Sequence, residues 1–178
     1  MADKVRTVKK IKKRRPKRQP VVAGWREWVA LPVFGVASLK VKLDTGARTS
    51  ALHAWDIHPF ERDGVLWVRF TLHPLQRNNS VRIPCEAPLV GKRAVRSTSG
   101  KSETRFVIRT TVLLGGQERK IEVTLTNRDQ MGFRMLLGRT AMRRWIVVDP
   151  ARSFLHGSRI DIANGPSADT LLKIGEPQ

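Results

Sequence analysis

A chain of 178 residues with 40% hydrophobic side chains has the length and the apolar content for one domain with tails. Its single cysteine, Cys85, excludes an internal disulfide and any cysteine-rich zinc framework, and no stretch approaches the roughly 20 apolar residues of a membrane span. The formal net charge of +19 favours acidic partners or substrates, and it is uneven: residues 1–20 hold ten Lys or Arg against one Asp.

Residues 1–20 are expected to be a disordered basic tail. The run from Lys9 to Arg18 has no apolar face to bury. Such a tail binds polyanions, RNA or a ribosome among them, by counterion release, and it serves equally to keep a protein in solution. No aromatic side chain interleaves the run, so it offers no stacking platform for single strands. The first apolar stretch follows this basic segment, which is not the order of a secretory leader, and a cytoplasmic location is expected.

From Val21 the pattern turns strand-like. A first strand over 25–31 is stopped by Pro32 and Gly35. Residues 39–43 alternate in period two and deliver Asp44 to the strand end, where Thr45 and Gly46 turn the chain. A glycine there admits backbone angles closed to other residues and lets a ligand approach closely. Residues 50–55 start another buried strand, Arg62-Asp63-Gly64 is a turn, and 65–72 is a clear strand. The stretch from 74 to 102, with Pro84, Pro88, Gly91 and Gly100, reads as irregular, a functional loop or mobile hairpin.

Residues 104–114 and 120–125 then form a hairpin about Gly115-Gly116. Residues 135–139 make a buried strand stopped by Gly138, and 140–145 suits one or two helical turns with Thr140 as N-cap. A last strand over 145–149 ends at Pro150, and residues 163–178 are polar and expected to be flexible. Short strands, Gly/Pro turns and one late helix predict an all-β barrel or sandwich in a domain spanning 21–162.

Two motifs carry a resemblance. The string Leu43-Asp44-Thr45-Gly46-Ala47-Arg48-Thr49-Ser50-Ala51-Leu52-His53-Ala54, followed far downstream by Leu136-Leu137-Gly138-Arg139 and a short helix, resembles the retropepsin-like aspartic proteases. At its full length the first string is similar to the bacterial branch long labelled "ATP-dependent zinc protease", whose members often occur beside a RimK-type ligase that adds glutamates to ribosomal protein. The resemblance covers roughly residues 21–160 and implies a retropepsin-like acid-protease barrel with one short C-terminal helix.

Neither cofactor in that label is supported by the residues. A phosphate loop ending in Gly100-Lys101-Ser102 needs a glycine at position 95, where Val95 stands. The zinc candidates are His53, His58, His73, His156 and Cys85. His53 and His58 have no His-Glu-x-x-His spacing, and their odd separation puts them on opposite faces of an extended chain. A structural His53, buried beside the active strand, is the expectation, and no metal or other cofactor is assigned.

What the resemblance implies is peptide hydrolysis by two carboxylates, one drawing a proton from water and the other polarising the scissile carbonyl. The chain supplies a single Asp-Thr-Gly; Asp56, Asp129 and Asp149 lack the following Thr-Gly. Asp44, Thr45 and Gly46 are therefore the expected catalytic residues of a half-site, completed by Asp44 of a second copy in a homodimer. In retropepsins the threonine hydroxyl bonds across the two-fold axis and the glycine backbone contacts substrate; Thr45 and Gly46 match those positions. Gly46, Ala47 and Arg48 are the expected substrate contacts.

One departure stands out. Where the viral enzymes have an aspartate that pairs with the arginine of Gly-Arg, this chain has Arg48, so Arg139 needs another partner. Arg48 is read either as solvated or as turning one end of the cleft towards acidic substrates. The flap is expected within 74–103, and residues 25–31 and 145–149 are apolar enough to join a dimer sheet. Two other classes stay open: a non-catalytic basic module that binds RNA or ribosomes, and a zinc metalloprotease.

Overall fold

Alternation of apolar and polar side chains organises the molecule strand by strand, as β2 (Arg26–Leu31) shows by burying Glu27, Val29 and Leu31 and half-exposing the residues between. The computed structural model describes residues 19–76, 78–96, 100, 102–127 and 132–157. The expected tails, up to residue 18 and from 163 onward, lie outside the described residues, as do Lys101 and Asp129.

The strands are β1 (Val21–Gly24), β2, β3 (Val36–Asp44), β4 (Ser50–His53), β5 (Trp55–Arg62), β6 (Val65–Leu72), β7 (Ile83–Arg96), β8 (Ser102–Leu114), β9 (Gln117–Thr126), β10 (Met135–Gly138) and β11 (Ile146–Asp149). A single turn of helix, α1 (Arg139–Met142), follows β10. Nine strands form one sheet in the order β2-β3-β10-β4-β9-β8-β7-β6-β5. Ala30 of β2 also pairs with Leu113 of β8, which curls the sheet back on itself. Val29, Leu31, Leu39, Val41, Leu52, Phe70, Ile108, Leu125, Met135 and Leu137 fill the interior. The predicted all-β architecture with one short helix is thus the observed one.

Two expectations need correction. The stretch read as irregular contains β7, a 14-residue strand. Its first half pairs with β6 and its second half with β8, so along most of its length one side is open, the setting in which a strand tolerates Pro84 and Pro88. Thr140 is not the N-cap of α1; Gly138 takes that place without a side-chain bond. β1 pairs in parallel with β11 as a separate ribbon, and residues 25–31 join the large sheet as β2.

A buried carboxylate ties these termini together. Glu27 is fully buried, and its Oε1 accepts the N–H of Gly24 at 2.7 Å and of Leu155 at 2.9 Å, while Oε2 accepts that of His156 at 3.1 Å. Gly24 must be glycine because a Cβ there would sit 2.5 Å from the Arg152 carbonyl oxygen. Glu27→Ala is expected to strand three amides and lower stability by about 3 kcal/mol, measured by denaturant unfolding, with Glu27→Gln losing less.

Candidate active site

The site is assembled by a strand insertion. β10 lies between β3, with which it is parallel, and β4, with which it is antiparallel. The register sets Gly138 beside Asp44 and Leu137 beside Leu43, so the two sequence motifs become neighbours. Joining β3 to β4, the 45–49 loop must cross the end of β10. It passes so close that a Cβ on Gly138 would lie 2.6 Å from both C and O of Thr49.

Asp44 closes a local turn. Its Oδ1 accepts the N–H groups of Gly46 at 3.0 Å and Ala47 at 3.1 Å, and among the described residues Oδ2 has only Lys42 Nζ, 3.8 Å away. Gly46 does not adopt the left-handed backbone that the sequence suggested. Its role is proximity, since a Cβ would stand 3.2 Å from Asp44 Oδ1.

The missing partner of Arg139 is the motif's own backbone. Its Nη1 donates to the carbonyl oxygens of Thr45 at 2.9 Å and Gly46 at 2.8 Å. The first free amides of α1 also find loop carbonyls, Arg139 N on Ala47 at 2.9 Å and Thr140 N on Arg48 at 3.2 Å. The Thr140 hydroxyl donates to the Arg48 carbonyl oxygen, and the Ser50 hydroxyl accepts the N–H of Gly138 at 3.1 Å. Five hydrogen bonds to its carbonyls and the Gly138 contact hold a loop whose Thr45, Gly46 and Arg48 face solvent.

Above this floor lies a cleft of about 850 Å³, roofed by the β7–β8 hairpin. Of the segment 74–103 expected to hold the flap, Arg93 to Arg96 line this cleft, and Arg105 on β8 joins them. Arg48, Arg93, Arg96 and Arg105 line the cleft, and its acids are Asp44 and Glu122. The Arg105 side chain, only 6% exposed, meets Glu103 at 2.9 Å. Glu122 receives Arg93 at 3.0 Å and Arg109 at 3.2 Å, and these bonds, Arg93 first, hold its carboxyl below the usual range of about 4.5. The four residues on the hairpin and β9 escaped the sequence reading; an excess of arginine across 93–109 is the one signal for three of them, and none marks Glu122.

The other candidates lie elsewhere. Asp149 ends β11 with its carboxyl held low by Arg152 and the Ala151 N–H, and Asp56 sits on β5. His53 is buried as expected, Nδ1 3.1 Å from the Thr126 carbonyl oxygen and its ring edge-on to Trp55, whose face stacks on His73. His156 contacts the Val22 carbonyl oxygen at 2.6 Å. Among the described residues no three His, Cys, Asp or Glu side chains converge as a metal site would need.

An all-β barrel that sets an Asp-Thr-Gly turn beside Gly-Arg under a hairpin roof defines the retropepsin-like class. Residues 22–159 match the model of the RimB-like family, described as retropepsin-like aspartic endopeptidase RimB, and the chain belongs to that family. It is 47% identical over 141 residues to a protein of Shewanella pealeana named "Probable alpha-L-glutamate ligase", covering 79% of this chain and 31% of that protein. A protein of the same name from Parasynechococcus marenigrum is 50% identical over 133 residues, 75% of this chain and 28% of the other. The chain therefore spans about a third of the length of the curated relatives it matches. The crystal structure of Lpg0085 from Legionella pneumophila, a protein titled as of unknown function (DUF785), superposes with a TM-score of 0.63 at 32% identity, covering 75% of this chain and 96% of that one.

Two outcomes follow from the geometry. Gly138→Ala is expected to cost about 1–3 kcal/mol by forcing the loop off β10, read as a lower unfolding midpoint. The carboxyl of Glu122 is held low in the folded state, so the stability it adds is present above pH 4.5 and lost as pH falls through its folded value. Glu122→Gln should flatten the acid limb of stability measured against pH.

Proposed function

We propose that the protein is an aspartic endopeptidase acting on acidic peptide segments, with the site completed by Asp44 of a second copy. The observation that carries this reading is the seating of Asp44. Two backbone amides fix one carboxylate oxygen, the other opens to the cleft, and the loop around it is clamped by Arg139. Fixing a reacting carboxylate before substrate arrives is how a site lowers the reorganisation its reaction requires.

Among the described residues Asp44 is the one aspartate that lines the cleft, so a single chain supplies half of a water-activating pair. With two copies, one ionised carboxylate takes a proton from water as the water attacks the scissile carbonyl. The second, protonated, donates to that carbonyl oxygen and later helps the amine leave. In this reading Thr45, exposed beside Asp44, bonds across the two-fold axis, and Gly46, Ala47 and Arg48, which line the cleft, meet the substrate backbone. Val22 and Val147 are register partners on the β1–β11 ribbon and are 47% and 54% exposed, apolar surface that a second copy would cover.

Substrate class follows from charge. Four arginines against two acids in one cleft favour anionic peptides and penalise cationic ones. Two relatives sharing this domain are named "Probable alpha-L-glutamate ligase", and a ligated glutamate adds carboxylate to whatever receives it.

Asp44→Asn is nearly isosteric and is expected to abolish cleavage of a glutamate-rich peptide while leaving the unfolding midpoint within about 1 kcal/mol of wild type. Mixing wild-type and Asp44→Asn chains should depress activity beyond simple dilution, and specific activity should fall as the protein is diluted. An active monomer at high dilution, established by sedimentation, would place the second carboxylate within the same chain and remove the two-fold model.

A further inference from the structure

The cleft at Asp44 has a continuation. A second cavity of about 310 Å³ lies beyond Arg93 and Glu122 and shares those residues, with Thr49 and Thr140, as a common wall. Arg119 and Lys120 line its far end. The two cavities thus form a trough divided where Glu122 meets Arg93 at 3.0 Å. Lys120 stands two residues from Glu122 on the same face of β9 and is exposed, with no carboxylate within ion-pair distance among the described residues. Arg119 is committed elsewhere, donating to the Arg143 carbonyl oxygen at 3.2 Å.

Glu122 resembles a ligand already in place. It is a carboxylate belonging to the chain, held by two arginines at the point where an extended acidic peptide would cross from one cavity to the next. Its side chain is 35% exposed, so solvent and an incoming carboxylate both reach the pair. Exchange of one carboxylate for another at Arg93 preserves the count of ion pairs and costs little.

Resting on the acidic-peptide reading above, we propose that the second cavity is a remote subsite for a carboxylate side chain of the same peptide. Lys120 and Arg93 take that carboxylate, and Glu122 holds Arg93 until it arrives. The protein would then grip an acidic run longer than the one around the scissile bond, and Glu122 would act as an internal competitor.

The test uses the full chain carrying Asp44→Asn, which removes turnover, and fluorescence anisotropy with labelled short and long oligoglutamates. The long peptide is expected to bind more tightly than the short one. Lys120→Gln should weaken the long peptide roughly two- to fivefold and leave the short one unchanged. Glu122→Gln should tighten the long peptide. Lys92→Gln, an equal loss of charge at a side chain that lies over the Phe106 ring and lines neither cavity, should change neither peptide. If Lys120→Gln leaves the long peptide unaffected, or Lys92→Gln weakens it as much, the subsite is overturned and general charge explains the length dependence. If Glu122→Gln fails to tighten binding, the competitor role falls. If neither oligoglutamate binds the parent protein, the acidic-substrate reading itself fails.

Discussion

The structure depends on one steric constraint: a peptide chain crosses over a glycine with no room for a methyl group. Gly138 ends β10 under the backbone of Arg48 and Thr49, and every feature of the site follows from that passage. The crossing lets β10 lie between β3 and β4 while the loop joining them passes overhead. It brings the arginine after Gly138 within reach of the Thr45 and Gly46 carbonyls, and it gives the amides of a one-turn helix their acceptors. A helix this short has little stability of its own, so α1 and the loop are each other's support. The absence of an aspartate at position 48 is accommodated in the same place, because Arg139 bonds to backbone rather than to a side chain.

The arginines of the cleft have a different standing. Their ion pairs are partly exposed, and pairs of that kind add little to folding. The same holds on the far side of the barrel, where Arg69 and Arg62 hold the Glu86 carboxyl below its usual range. What distinguishes the cleft is imbalance. More guanidinium groups than carboxylates converge in a concave surface roofed by a hairpin, and a concave surface concentrates the field of its charges. Arg105 is the extreme case, nearly buried with one exposed acid for company.

Much of this was legible in the residues. The clear strand at 65–72, the hairpin at Gly115-Gly116 and the alternation into Asp44 all lie where local pattern and tertiary environment agree. So do the two motifs and their neighbourhood, because their spacing is set by β3–β10 pairing. β7 was illegible because its prolines and Gly91 are breakers only when a strand is flanked on both sides, and most of β7 is not. Residue type alone suggests a left-handed Gly46, whereas what crowds that position is a side-chain oxygen two residues earlier. Glu27 could not be found from sequence at all, since nothing local distinguishes a buried acid on a strand from a solvated one. Two of its three partners come from 128 and 129 residues downstream.

β7 changes partners halfway along, leaving β6 and joining β8 around Leu89 and Gly91. One continuous backbone therefore belongs to both the outer lobe and the roof of the cleft. A bend at the register shift between Leu89 and Gly91 would turn the roof relative to the β5–β6 pair while leaving both ladders intact.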